Sequence, residues 1–101
     1  MFFCAKTTMS DKTPTDEERD AHRAYLKQKS AQLLAAGPTF DTDSEKPEGS
    51  IMLFEAEDWE AAKAFVEDDP FFKAGMRSDI KLFAWHPGGY ARTFPIDAKS
   101  I

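Results

Sequence analysis

The sequence predicts an α+β fold in which two helices cover one face of a four-stranded antiparallel sheet. Four short segments rich in apolar and aromatic residues alternate with two segments that carry helix-start signals. Their order is strand, helix, strand, strand, helix, strand, which is the split βαβ or ferredoxin-like arrangement (βαββαβ). A length of 101 residues is typical of one domain. We therefore expect a single domain over residues 1–101, with a core over about residues 1–87 and a C-terminal tail over residues 88–101.

The first strand is predicted over residues 1–8, where apolar side chains occupy both alternating sets of positions. The first helix follows, and the sequence offers two starts for it. Thr13 can cap the helix with Pro14 at the first helical position, or Thr15 can cap it with Glu18 closing a capping box.

We expect this helix to continue to about Ala36 and to stop at Gly37-Pro38, because glycine and proline end helices. Residues three or four positions apart share one face of a helix. The face turned toward the sheet would consist of His22, Leu26, Lys29 and Leu33, with Tyr25 and Leu34 beside it.

Capping and turn residues delimit the remaining elements. Asp58 is a good helix N-cap, and Pro70 ends that helix because the residue before a proline avoids helical angles. The expected elements are a short strand over residues 38–43, a strand over 50–56, a helix from Trp59 to about Glu67, a connector over 71–75 and a strand over 76–86.

Three of these strands are apolar on both faces, although two helices can cover only one face of a sheet. In the strand over residues 50–56, Ile51 and Leu53 alternate with Met52 and Phe54. An uncovered apolar face of this kind favours a second copy packed sheet to sheet, and we therefore predict a homodimer. The alternative is that the tail folds back over the same face.

Composition argues against several classes of partner. The formal net charge of −5 disfavours nucleic acid and anionic membrane surfaces. Cys4 is the only cysteine and lies in an apolar run, which predicts a buried, inert thiol and a cytoplasmic protein without disulfides. The spacing of His22 and His86 is not that of a metal site, and there is no glycine-rich phosphate loop, so we expect no metal and no cofactor.

Two residues are candidates for catalysis, His22 and Asp69. Imidazole exchanges a proton readily near neutral pH, and a carboxylate bonded to one ring nitrogen fixes the tautomer and stabilises the imidazolium. Both helices of a split βαβ unit pack on the same sheet face, so the two side chains can meet across a gap. The alternatives are a core histidine bonded to a carbonyl, and a catalytic role for the adjacent Asp68 in place of Asp69.

Four further residues are candidates for binding a small molecule. Tyr25 lies three residues after His22 on the same helix, and Phe71 follows Asp69-Pro70. A backbone amide near Gly37-Pro38 is also available to a ligand. For Tyr25 and Phe71 the competing interpretation is packing, and for Gly37-Pro38 it is a helix stop.

An ordered set of short motifs resembles the YciI-like (YCII-related) family over roughly residues 1–87. The chain departs from the family pattern in a short loop before Ile51 and in a longer C-terminal tail. The motifs are His22, Ala36-Gly37-Pro38, Gly49 before the strand over 51–54, Ala61-Ala62, Asp69-Pro70-Phe71, and Gly75 before Met76.

The resemblance implies a dimeric α/β-barrel with an active site formed by one histidine and one aspartate, which are His22 and Asp69 here. Relatives point to elimination chemistry, such as dehydrochlorination of a chlorinated hydroxyquinol-type ring. The expected function is therefore acid–base catalysis, of the lyase or isomerase type, on a small cyclic or aromatic molecule. The alternative is a dimer that binds a small ligand without catalysis.

Overall fold

The computed structural model describes residues 1–42 and 44–86, so the predicted C-terminal tail over residues 88–101 lies outside the described residues. Four strands and three helices are present in this part of the chain. Their bounds are β1 (Phe2–Met9), α1 (Asp16–Gln28), β2 (Leu33–Phe40), β3 (Pro47–Glu55), α2 (Trp59–Glu67), α3 (Pro70–Lys73) and β4 (Arg77–Trp85).

The sheet has the strand order β2-β3-β1-β4, and every neighbouring pair is antiparallel. The two central strands are joined through the α1 and β2 segment, which is the split βαβ connection, so the predicted ferredoxin-like fold class is confirmed. The core lies between this sheet and the helices. Its buried members are Phe3, Ala5, Met52, Phe54, Ala56, Ala62, Phe65 and Val66.

The first helix is shorter than predicted. It ends at Gln28, with Lys29 as its C-cap, and the chain from Leu33 to Phe40 forms the edge strand β2. Alanine, leucine and glutamine favour helix over residues 31–36, but the backbone groups of this segment pair with β3, and that pairing overrides the local preference. The predicted helix end at about Ala36 was therefore wrong, and the strand predicted over 38–43 is present but runs from Leu33 to Phe40.

Gly37-Pro38 lies inside β2 and does not stop a helix. Proline is compatible with a strand at the edge of a sheet, because its missing N–H can face away from the ladder. Pro38 is paired with Ser50 and Gly37 with Ile51. The bulge between Leu33 and Ala35 lets Leu33 pack against the core while Leu34 stays exposed.

The second helix has the predicted bounds, with the Asp58 side chain accepting a hydrogen bond from the Ala61 N–H at 2.8 Å. The predicted connector over residues 71–75 instead contains the short helix α3, which Asp69 caps. Proline at the first position suits a helix start, since its ring sets the required backbone angle. This short helix brings Asp69 and Phe71 against α1.

No helix within the described residues covers the second face of the sheet, here called the open sheet face, and this face is apolar around Phe2, Cys4, Leu53, Phe83 and Trp85. Cross-strand pairs place Phe2 beside Trp85, and Cys4 beside both Leu53 and Phe83. Phe83 is 52% exposed and Trp85 is 37% exposed. Cys4 is half-buried on this face and not enclosed in the core as predicted.

None of the helices within residues 1–42 and 44–86 has the length and apolar character needed to cross a bilayer. In the same residues there is no group of three or more His, Cys, Asp or Glu side chains suitably arranged to hold a metal ion.

Candidate active site

His22 lies on α1, and the start of that helix sets its position. Of the two possible starts, the helix uses Thr15, whose hydroxyl accepts the Glu18 N–H at 3.1 Å while the Glu18 carboxylate accepts the Thr15 N–H at 2.9 Å. That capping box leaves Thr13 and Pro14 outside the helix, where they line the site described below. His22 is therefore directed toward α3 and the end of the sheet.

Asp69 is buried and holds His22 in place. Its side chain is 2% exposed, and its Oδ1 atom lies 2.7 Å from Nδ1 of His22. The same oxygen accepts the backbone N–H of Phe71 at 3.0 Å. The carboxylate thus caps α3 and orients the imidazole at once. The neighbouring Asp68 is exposed and forms the C-cap of α2.

The contact with Asp69 determines which ring nitrogen of neutral His22 holds the proton. An ionised carboxylate only accepts hydrogen bonds, so Nδ1 must donate, and the lone pair is left on Nε2. Within residues 1–42 and 44–86, Nε2 has no hydrogen-bond partner, and every buried polar side-chain atom there has one. Nε2 is therefore accessible, as a general base requires.

An aromatic ring supports the imidazole from the side. The Phe71 ring is parallel to that of His22, with the centroids 4.0 Å apart and an angle of 4° between the planes. The guanidinium carbon of Arg77 lies over the same Phe71 ring, 5.1 Å from its centroid. Phe71 therefore contacts both a cation and a potential base.

His22, Phe71 and Arg77 line a cavity of about 560 Å³. This volume falls within the usual range for small-molecule sites. The cavity lies between α1, the segment after β1, the β2–β3 edge and α3. Its lining includes apolar and cationic side chains. The apolar ones include Pro14, Leu26, Ala36, Pro38, Pro47 and Met52. The cationic ones are Lys12, Arg19, Arg23, Lys46 and Arg77.

Three of the four predicted binding residues line this cavity: Gly37, Pro38 and Phe71. Tyr25 does not. Its hydroxyl donates to the Phe65 carbonyl at 2.7 Å, which ties α1 to α2. Burial, with a further contribution from the negative charges of Asp68 and Asp69, raises the pKa of Tyr25 to about 12.

Arg77 lines the cavity although the sequence pattern did not indicate it as a site residue, and a bulge explains why. Strict alternation from Ile80 would turn Arg77 toward the open sheet face, together with Phe83. The register shifts, however, so that Thr8 pairs with Asp79 and Met9 pairs with Arg77. The extra residue in β4 moves Arg77 to the helix-covered face, where the cavity lies.

Comparison with known proteins places the chain in a family. Residues 1–86 match the model of the YCII-related domain. An uncharacterized protein of Haemophilus influenzae is 38% identical over 69 residues, which cover 61% of this chain and 70% of that protein.

Solved structures agree with this assignment. A 5-chloro-2-hydroxyhydroquinone dehydrochlorinase from Burkholderia phenoliruptrix, in complex with 2,5-dihydroxybenzoquinone, is 32% identical, with a TM-score of 0.70 over 87% of this chain and 96% of that one. A protein of Arabidopsis thaliana, 10% identical, has a TM-score of 0.50 over 88% of this chain and 96% of that one, which is a likeness of fold alone. The match to the family model covers most of the chain, as the motifs around His22 and Asp69-Pro70-Phe71 predicted, and the protein belongs to the YCII-related family.

Proposed function

We propose that this protein is an enzyme that catalyses proton transfer on a small cyclic or aromatic molecule, with His22 as general base and Asp69 as the residue that positions it. The observation that carries this proposal is the 2.7 Å contact between His22 Nδ1 and the buried Asp69 carboxylate, on the wall of a cavity of about 560 Å³. A histidine whose only role is packing does not require an accessible Nε2 atom.

The proposed step is an elimination. Nε2 of His22 accepts a proton from a hydroxyl or C–H group of the substrate. The electron pair left behind forms a new π bond, and the leaving group departs with its own bonding pair. The positive charge that develops on the imidazole is stabilised by the Asp69 carboxylate, which stays ionised. In an isomerase the same proton would return to a different substrate atom.

The dehydrochlorinase relative supports elimination over other proton transfers. When a chlorinated trihydroxybenzene loses HCl to form a hydroxybenzoquinone, two hydroxyl protons are removed and one proton is added to the ring carbon that bears chlorine. Chloride then leaves that carbon with the bonding pair. The step requires no electron acceptor, because chloride leaves with the electron pair of its bond. The proposed activity is accordingly cofactor-independent, and the proposed substrates are hydroxylated rings that carry a leaving group.

Chloride release under anaerobic conditions tests this proposal, with 5-chloro-2-hydroxyhydroquinone as the first substrate. The wild-type protein should release chloride faster than the buffer, and His22→Asn should lower the rate by about 10²–10⁴-fold, the usual contribution of general acid–base catalysis. Lys27→Gln, on an exposed part of α1 away from the cavity, serves as the matched control and should leave the rate unchanged.

The alternative, a non-catalytic ligand-binding protein, makes a different prediction for the same materials. In that case 2,5-dihydroxybenzoquinone would bind in the cavity, while no substrate in a panel of halogenated and isomerisable hydroxylated rings would turn over. That result would exclude the proposed enzyme activity and retain the cavity as a binding site.

We also propose that the protein functions as a homodimer in the cytoplasm. The apolar open face formed by Phe2, Cys4, Leu53, Phe83 and Trp85 supports sheet-to-sheet association. Isologous pairing of this face with its copy would cover both sheets at once, as in a dimeric α/β-barrel. The cytoplasmic location rests on the single cysteine.

A further inference from the structure

The charge of the cavity differs in sign from the charge of the protein. The chain has a formal net charge of −5. Among residues 1–42 and 44–86, the cavity lining nevertheless contains five lysine or arginine residues and a single acidic residue, Asp11. Cations concentrated in a concave surface raise the local concentration of anions and attract an anionic ligand.

Several of these cations are only weakly neutralised by the protein itself. Arg19 and Arg23 lie 3.6 Å and 3.9 Å from Asp16 and Asp20, but those carboxylates are 98% and 79% exposed, where such pairs contribute little. Lys12 donates to the Ala74 carbonyl at 2.6 Å, a neutral acceptor, and its charge acts at longer range on the exposed carboxylate of Glu18.

Arg77 is a cavity cation that has no counter-ion bonded to it among the described residues. Its guanidinium has no hydrogen bond or ion pair with any residue in the described part of the chain, and its one specific contact is with the face of the Phe71 ring. Burial lowers the pKa of Arg77, and the negative charge of Asp69 acts in the opposite direction. A partly buried guanidinium costs free energy unless an anion is bonded to it.

His22 and Arg77 line the same cavity, so one small molecule bound there can contact both. Both the imidazole centroid and the guanidinium carbon lie within 5.1 Å of the centroid of the Phe71 ring. A guanidinium presents paired N–H donors that match the oxygens of a carboxylate or the adjacent oxygens of an acidic ring. The apolar walls at Leu26, Pro38 and Met52 suit the rest of such a ring.

We propose that the ligand of this cavity is a ring compound bearing an anionic oxygen, either a carboxylate or an ionised ring hydroxyl, and that Arg77 binds that oxygen. This inference rests on the proposed function, because it names the substrate class of the same site. It assigns Arg77 the role of binding and orienting the substrate, while His22 transfers the proton.

Binding measurements with matched pairs of probes test the inference without turnover. 2,5-Dihydroxybenzoate and 2,5-dihydroxybenzamide differ in the charge of one substituent, and 2,5-dihydroxybenzoquinone and hydroquinone differ in the acidity of the ring hydroxyls. Titration calorimetry at pH 7 on the wild-type protein should show at least one anionic probe binding at least tenfold more tightly than its neutral counterpart. The pair that shows the preference identifies the anionic group.

Variants then assign the preference to Arg77. Arg77→Gln should weaken binding of the preferred anion by about ten- to a hundredfold, as expected for a hydrogen bond to a charged group, and should leave the neutral probe unchanged. Arg77→Lys keeps the charge but not the paired donors, so it should retain part of the preference for the anion. This variant also provides the test if Arg77→Gln fails to fold. Lys27→Gln removes an equal charge outside the cavity and should change nothing.

The inference would be overturned if anionic and neutral probes bound equally well, or if none of the four probes bound. It would also be overturned if both Arg77 variants kept the full preference for the anion. His22→Asn separates this result from the proposed function. An Arg77-dependent preference that survives in His22→Asn supports anion binding even if no substrate turns over. Turnover without any preference for anions would support the enzyme and reject the anionic ligand.

Discussion

Oδ1 of Asp69 lies 2.7 Å from Nδ1 of His22, although the two residues are 47 positions apart in the chain. The same oxygen also caps α3 through the Phe71 N–H. Because one atom has both roles, the position of the imidazole is tied to the backbone of a helix start, which is more rigid than a contact between two free side chains.

Asp69→Asn should separate the charge from the geometry. Asparagine is as good an N-cap as aspartate, so α3 and the fold should persist. An amide can present either an N–H group or an oxygen to Nδ1, so the tautomer with its lone pair on Nε2 is no longer the only one favoured. The imidazolium also loses the negative charge that compensates it. We expect chloride release to fall at least 10²-fold, and ¹⁵N shifts of His22 to report a changed mixture of tautomers.

Asp68→Asn is the control for that experiment, because Asp68 is adjacent, equally acidic and exposed. It should leave the rate and the His22 ¹⁵N shifts close to those of the wild type. Identical ¹⁵N shifts in wild type and Asp69→Asn would show that Asp69 does not determine the tautomer.

Phe83→Glu should separate the proposed dimer. Phe83 is 52% exposed on the open sheet face, and burying a carboxylate against an apolar copy of that face is costly. Sedimentation at micromolar concentration should give about twice the chain mass for the wild type and the single chain mass for the variant. Ala64 is an exposed residue of α2, on the other side of the sheet. Ala64→Glu adds the same charge there, and this variant should remain dimeric. A monomeric wild type would contradict the dimer.

Gly49→Ala should destabilise the fold strongly, whereas Gly37→Ala should not. A Cβ atom at position 49 would overlap the Thr7 carbonyl oxygen, a backbone atom that cannot move away easily. At position 37 a Cβ atom meets nothing within 4 Å. We expect a loss of about 3 kcal/mol or more in the free energy of unfolding for Gly49→Ala, the upper end of overpacking costs. For Gly37→Ala we expect a change within about 1 kcal/mol. Urea denaturation of both variants measures the difference, and equal stabilities would contradict the close contact at position 49.

Tyr25 should make the fold sensitive to high pH. Its folded-state pKa is about 12, above the ordinary tyrosine value of 10.0, so the unfolded chain loses this proton first. The contribution to stability is therefore fully present below pH 10.0 and is lost as the pH rises toward 12. The stability of Tyr25→Phe should not fall in this pH range for this reason, because phenylalanine has no ionisable hydroxyl. The variant also loses the hydrogen bond to the Phe65 carbonyl, which should lower its free energy of unfolding by about 0.5–1.5 kcal/mol near neutral pH.

Urea denaturation at pH 9 and pH 11 compares the two proteins. The stability difference between wild type and Tyr25→Phe should shrink at the higher pH. A difference that stays constant would mean that the Tyr25 hydroxyl ionises alike in the folded and unfolded chain.

The sequence by itself determined the elements whose signals are local. The capping box at Thr15, the Asp58 cap and the alternating strands follow from neighbouring residues, so their positions were predictable within a few residues. The fold class followed from the order of those elements, and the family followed from short motifs at matching intervals. His22 and Asp69 were identified as a pair through the chemistry of their side chains together with these motifs.

Only the tertiary structure decided the features that depend on distant partners. Residues 33–36 have helix-favouring side chains but become part of β2, because β3 offers them a ladder of backbone hydrogen bonds. Arg77 enters the cavity because of a single extra residue in β4, which no alternating pattern reveals. His22 and Asp69 are likewise 47 positions apart in the sequence. Their contact depends on how α1 and α3 pack against each other and not on either segment alone.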